Sequence, residues 1–381
     1  MRSRKHRFIA MLCLAASSVI SCGRQDSSTQ SARSADKGIE EDKVVNLYFW
    51  SDYLAPDTLS SFEKQTGIKV NLTYFDSYET LEARVLAGNS GFDVVLPGSG
   101  ILSREIRSGA YMPLDKSRLP NLVDLDRAVL SKASHSDPGN TYGVVYMWST
   151  YGIAFNKKLI AERLPGVPPT SWRLVLDPVF AAKLADCGIN FIDDPVAVVQ
   201  LVLKYLGRST GAPTPQDFAD VETTLLKIRP YIRTIDTSGE INAIANGDIC
   251  ISLGYSGDVV QANKRAREAK NGIELDYILP EEGSFIGFDL LAIPKDAPHV
   301  ANAYMLINYL IDPRVAADIS NAIGYANANA AATPMLDASI ASNTFIYPTR
   351  DQQQRLFAEA EFTGEQSRII TRIWQRFRTG Q

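Results

Sequence analysis

The sequence predicts an α/β protein of two hinged lobes with a ligand cleft between them. Three observations predict it. Residues 44–109 alternate strand and helix three times. Thr141–Asn156 is a long strand-like run, long enough to cross from one lobe to another. The 381 residues, 45 % hydrophobic and 22 % charged, have material for one or two cored domains.

The elements come in order. Val44–Trp50 reads as a strand. Pro56–Gln65 reads as a helix, with proline at an early position and Gly67 just past the end. Ile68–Phe75 is a strand of β-branched and aromatic residues. Ser77–Leu86 is a helix with Ser77 and Thr80 as cap candidates and Gly88 as a stop. Phe92–Leu96 is a short apolar strand ended by Pro97-Gly98, and Ile101–Arg107 is a helix closed by Gly109. After Thr141–Asn156 and the proline-rich turn 165–169, Pro195–Leu206 and Thr214–Ile228 read as helices. Asp248–Leu253 is a buried-type strand, Ser256–Asn271 a helix and Phe285–Pro294 a strand. Ala301–Leu310 and Pro313–Ile319 are helices, and Asp351–Phe377 reads as largely helical. The expected lobes are discontinuous: 44–147 with about 281–328, and 148–280 with about 329–381.

The first residues read as targeting rather than fold. Met1–Arg7 is basic, and Phe8–Ile20 is apolar but short for a bilayer span. Val19-Ile20-Ser21-Cys22 then resembles the bacterial lipobox, whose cysteine is acylated. Residues 1–21 are thus expected to be a lipoprotein signal peptide, Cys22 the lipidation site and 22–43 a polar tether. The other reading is a plain signal peptide with an incidental cysteine. Either way the chain is expected outside the cytoplasm, in the periplasm or cell envelope. Cys187 and Cys250 remain in the folded part, where an oxidising compartment admits one disulfide or two separate thiols.

Charge excludes one class of partner. The formal net charge is −4, and beyond residue 21 only 35 bases face 43 acids. Nucleic acid requires a basic surface, so no such partner is expected. Catalytic signatures are missing too. Of the three histidines, His6 lies in the signal and His135 and His299 in loops; none has metal-ligand spacing, and there is no C-x-x-C. Gly254-Tyr255-Ser256-Gly257 has its glycine in the wrong place for a nucleophile elbow. No catalytic residue, metal or cofactor is expected.

Binding residues are sought just after each strand, because ligands in open α/β sheets sit beyond the strand ends. These points carry Trp50-Ser51-Asp52-Tyr53, Pro97-Gly98-Ser99-Gly100, Gly254-Tyr255-Ser256-Gly257-Asp258 and Phe288-Asp289, and Tyr325-Ala326-Asn327-Ala328-Asn329 follows a late helix. Aromatic rings and carboxylates recur together. Carboxylates hold ammonium groups through charge-assisted hydrogen bonds, and rings cover methylenes and add cation–π attraction. Any single Asp here also serves as a helix cap; Asp52, Asp258 and Asp289 jointly point to an organic cation.

At these residues the sequence resembles the bacterial periplasmic putrescine/spermidine-binding proteins of ABC importers, nearest the putrescine-binding branch. The resemblance covers 44–381 and rests on Trp50–Thr58, Phe62–Val70, Ala245–Cys250 and Tyr325–Asn329. It implies the type II periplasmic-binding-protein fold, closure on ligand, a monomer, permease subunits as partners, no catalysis and a Cys187–Cys250 disulfide. It assigns Asp258 and Asp289 to one amine, Ser51 and Asp52 to groups near the other end, Trp50, Tyr53, Tyr255 and Tyr325 to an aromatic box, and Ser99 to the ligand-binding set. Two positions depart. The family's glutamate beyond the Asp-x-Pro turn falls near Val196-Ala197, and a phenylalanine falls at Gly287. The pocket is therefore expected to lose a distal carboxylate and a side ring. The alternative functional reading is a receptor for a different amine or an amino acid, or a ligand-sensing receptor subunit.

Overall fold

The computed structural model describes residues 41–380. The expected signal segment, Cys22 and nearly all of the tether lie outside the described residues. The strands are β1 (Val44–Trp50), β2 (Lys69–Phe75), β3 (Val94–Val95), β4 (Gly143–Asn156), β5 (Ile189–Phe191), β6 (Ile232–Ile235), β7 (Ile251–Tyr255), β8 (Leu275–Ile278), β9 (Ser284–Ala292), β10 (Ala326–Asn327) and β11 (Leu356–Ala358).

Local rules explain the first units. β1 pairs in parallel with β2, Val44 opposite Lys69 through Trp50 opposite Phe75. The connection is the helix Thr58–Thr66, ended by Gly67 at φ 72°, where a side chain would be strained. The next helix, Tyr78–Leu86, starts where Ser77 accepts from the Thr80 N–H at 3.2 Å. β3 is also parallel to β1. The segment expected as a strand over Phe92–Leu96 contributes only these two paired residues.

β4 is the spine. Its first part pairs antiparallel with β9 and β10; its second part pairs antiparallel with β7 and β8. β5 lies parallel to β6 and to β7. The sheet order is β2-β1-β3-β9-β4-β7-β5-β6, mixed at its centre and parallel towards both ends. All fourteen residues of β4 are buried, which is why its sequence runs apolar without alternation.

Burial divides into separate cores. Leu47, Phe49, Met147, Leu290 and Leu306 belong to one cluster; Ile153, Trp172, Phe191, Leu253, Phe285 and Phe377 to a second. Ile340 and Ile346 pack with the first. A smaller cluster joins Ile241, Val259 and Tyr277. β4 and β9 each give residues to both large clusters, so they are the crossings between them. Cys187 and Cys250 are joined as a disulfide, fastening the loop before β5 to the residue before β7.

Asp351–Phe377 is largely helical, as its pattern predicts, but in two pieces: a short helix, Arg350–Gln353, is followed by β11 and then by the helix Gly364–Thr379. β11 pairs in parallel with β9, and sheet pairing overrides the helical pattern there. The start of the long helix does carry a local mark, because Thr363 and Gln366 form a reciprocal capping box.

Candidate functional site

The crossing strands create a cavity. Ser149 of β4 stands opposite Gly287 of β9, and two residues on Tyr151 stands opposite Tyr255 of β7. Around this point two chambers meet and share part of their lining. Tyr78, Ser149, Tyr255 and Asp289 line both.

The proximal chamber gathers Trp50, Ser51, Asp52, Tyr53, Tyr255, Asp258, Asp289 and Tyr325. These are eight of the nine residues singled out from sequence; the ninth, Ser99, lines the distal chamber. Trp50–Tyr53 stand at the carboxyl end of β1, and Asp258 lies in the first turn of the helix Ser256–Ala269, after β7. A carboxylate near a helix N-terminus meets the positive end of the helix dipole.

The carboxylates are oriented by tyrosines. Tyr53 and Tyr78 donate to the two oxygens of Asp289 at 2.7 and 2.6 Å. Tyr325 donates to Asp258 at 2.6 Å. The Tyr325 ring lies against Gly257, where an added Cβ would fall 2.0 Å away. Tyr53 is itself fixed: its carbonyl accepts from Tyr146 at 2.7 Å, and its ring meets Tyr325 edge-on at 4.8 Å. Asp52 differs from the other acids. It sits at the rim, half-exposed, at φ 55°, and pairs with Arg265 at 3.0 Å.

The distal chamber corrects the sequence-based expectation. It does not lack a carboxylate: Asp194 and Glu359 both line it. Asp194 uses Oδ1 to cap the helix Pro195–Tyr205, accepting from the Ala197 N–H at 2.9 Å, and its Oδ2 faces Tyr255 at 3.4 Å. Glu359 comes just after β11 and accepts from the Ser99 and Tyr151 hydroxyls, the latter at 3.2 Å. Nor is the space at Gly287 empty: the Tyr151 ring occupies it, 2.9 Å from where a Cβ would stand. Asp194 is legible in the sequence as a cap before Pro195. Glu359 gives no local signal, because its strand is too short to recognise. Tyr78 reads from sequence only as part of a helix.

Burial controls the charge of these groups. Asp194, Asp258 and Asp289 are each 8 % exposed. Loss of water raises the carboxyls of Asp194 and Asp289 to about 6 and that of Glu359 to about 8. Burial also raises Asp258, against the lowering effects of the Tyr325 hydroxyl and Arg265. Among the described residues, no Lys, Arg or His lines either chamber. Among them, too, no cluster of His, Cys, Asp or Glu is arranged to hold a metal, and no helix is long and apolar enough to cross a membrane.

Residues 58–345 match the family model of the bacterial extracellular solute-binding proteins. The chain belongs to this family. Its members include relatives similar over nearly the whole chain. The putrescine-binding periplasmic protein PotF of Escherichia coli (strain K12) is 43 % identical, over 90 % of this chain and 93 % of that protein. The putrescine-binding periplasmic protein SpuD of Pseudomonas aeruginosa is 41 % identical over the same shares. A solved spermidine/putrescine ABC transporter structure from Listeria monocytogenes superposes with a TM-score of 0.79 at 28 % identity, covering 89 % of this chain and all of that one. The resemblance read from the sequence and the solute-binding-protein fold are both borne out. These relatives are transport binding proteins.

Proposed function

We propose that the chain captures a linear polycationic amine, of the putrescine and spermidine class, and delivers it to the permease of an ABC importer. The observation that carries this reading is the set of buried carboxylates whose hydrogen-bond partners are hydroxyls, in a cavity that no basic side chain of the described residues lines. A buried carboxylate without a cation is costly, and a polyamine supplies the cations. Asp258 and Asp289 hold ammonium groups. Trp50, Tyr53, Tyr255 and Tyr325 cover the methylenes, Ser51 and Ser99 add hydroxyls, and Asp52 acts at the rim. The names of the relatives support the ligand class.

The same role sets the remaining elements of the proposal. The lobes close on the ligand about β4 and β9. The chain acts as a monomer, releases its ligand unchanged and has no enzymatic activity. Its N-terminal signal is removed and Cys22 is acylated, tethering it to a membrane outside the cytoplasm; the lipobox-like Val19–Cys22 supports this.

Calorimetric titration with putrescine, cadaverine, agmatine, spermidine and spermine tests the reading. One-to-one binding of at least one amine is expected, with loss in Asp258→Asn and Asp289→Asn. No heat with any of the five would overturn it.

A further inference from the structure

Asp289 must be ionised to hold an ammonium ion, and its surroundings oppose that. It is buried on the wall common to both chambers, where loss of water pushes its carboxyl up. Two hydroxyls act in the other direction. Tyr78 donates to Oδ1 at 2.6 Å and Tyr53 to Oδ2 at 2.7 Å, and Tyr78 has the larger lowering effect. Hydrogen bonds to the charged form favour it over the neutral acid.

Tyr78 is built into this position by three neighbours. Ser77 caps the helix Tyr78–Leu86 and so makes Tyr78 its first residue. The Trp50 ring meets the Tyr78 ring edge-on at 5.2 Å. Gly98 stands opposite Asp289 in a single antiparallel bridge, and the Tyr78 ring crosses the bare backbone there. A Cβ on Gly98 would fall 2.5 Å from the ring Cζ and 2.7 Å from the hydroxyl oxygen. Gly98 has φ −84°, open to any residue, so space rather than backbone angle requires glycine. A side chain at 98 and the Tyr78–Asp289 bond exclude one another.

The hydroxyl stays a donor. Burial and then the Asp289 charge push it well above the ordinary tyrosine range. The other titratable groups that feel Asp289 are Tyr146 on β4, Tyr255 on β7, Tyr325, Asp258 and Glu359. The tyrosines among them are raised as well and remain neutral, and the two acids bring no positive charge.

We propose that Tyr78 is a positioning residue of the amine site: its hydroxyl, carried across Gly98, orients the Asp289 carboxylate and keeps its charge available to an ammonium ion. This rests on the amine-binding reading above and deepens it. Tyr78 acts through Asp289, from a helix whose sequence carries no mark of the site.

Calorimetric titration with putrescine and with spermidine, from about pH 5 to about pH 9, tests the role. Tyr78→Phe keeps the ring and removes the donor. Near pH 7 it should weaken both amines by roughly 10- to 150-fold, the worth of one hydrogen bond to a charged group. The pH at which affinity levels off should move up by about one to two units, because Asp289 then holds its proton longer. Gly98→Ala should weaken binding too, by displacing the ring, and should add little to Tyr78→Ala, where there is no ring to displace. Unfolding curves for each variant separate a binding effect from misfolding. Wild-type affinity in Tyr78→Phe, or weaker binding with an unmoved pH profile, overturns the inference. If Asp289→Asn then still abolishes binding, the amine-binding reading stands without it; if wild type binds neither amine, both fall.

Discussion

The Tyr325 hydroxyl donates to Asp258 at 2.6 Å across a separation of 67 residues, and the Tyr325 ring rests on the bare backbone of Gly257, next to that aspartate. Glycine is required here by space, not by backbone angle. Tyr325→Phe keeps the ring and removes the donor. It should weaken amine binding by roughly 10- to 150-fold, the worth of one hydrogen bond to a charged group. Gly257→Ala should weaken it further, because the methyl displaces the whole ring. Calorimetry on the two variants gives the order; equal affinities would show that the ring position does not matter.

Arg265 and Asp52 form an ion pair at the rim, at 3.0 Å and partly exposed. Such pairs contribute about 1 kcal/mol or less. Arg265→Ala should therefore raise the ligand dissociation rate only about two- to fivefold, and added salt should shrink the difference. Stopped-flow displacement at low and high salt measures both. A change above a hundredfold would mean that Arg265 contacts the ligand itself.

The raised carboxyls link binding and stability to protons. In the free protein Asp194 and Asp289 titrate near 6 and Glu359 near 8, all pushed up by burial. Each folded value exceeds that of the unfolded chain, so the folded state binds more protons between the two. The contribution of these groups to stability is then favourable at low pH and falls as pH rises from about 4 towards 8. A bound polycation favours the ionised form, so binding expels protons. Affinity should rise from pH 5 to pH 8, and the heat of binding should vary with the ionisation enthalpy of the buffer. Ligand should raise the melting temperature more at pH 8 than at pH 5. A flat affinity profile contradicts the linkage.

The disulfide closes a loop of 63 residues between Cys187 and Cys250. Cross-links of this span stabilise by about 2–5 kcal/mol, largely by restricting the unfolded chain. A Cys187→Ala, Cys250→Ala protein should show that loss in denaturant titration, with ligand affinity changed far less than stability. Cys250 precedes β7, whose far end carries Tyr255 into the cavity, so a large fall in affinity would show that the link also sets the site.

Much of the fold is legible in the sequence because its rules are local. The β1 residues Val44–Trp50, the cap at Ser77 and the stop at Gly67 each depend on a few neighbouring side chains. The residues after β1 and β7 reach the cavity for the same reason: a strand leading into a helix delivers them to the strand's carboxyl end. Within the largely helical C-terminal segment β11 is not legible, because it exists only through pairing with β9, whose residues lie some 70 positions earlier. Glu359 is hidden with it.

Chain composition and order alone establish which chemical groups are available, acids and rings set at the ends of strands, and the kind of fold that carries them. How those groups are matched is settled only by packing. Tyr53 reaches Asp289 over 236 residues, Tyr78 reaches it over 211, and Ser99 reaches Glu359 over 260. A hydrogen bond needs its partners within about 3 Å. At such separations chain connectivity does not bring them there; the docking of the strands and helices that carry them does.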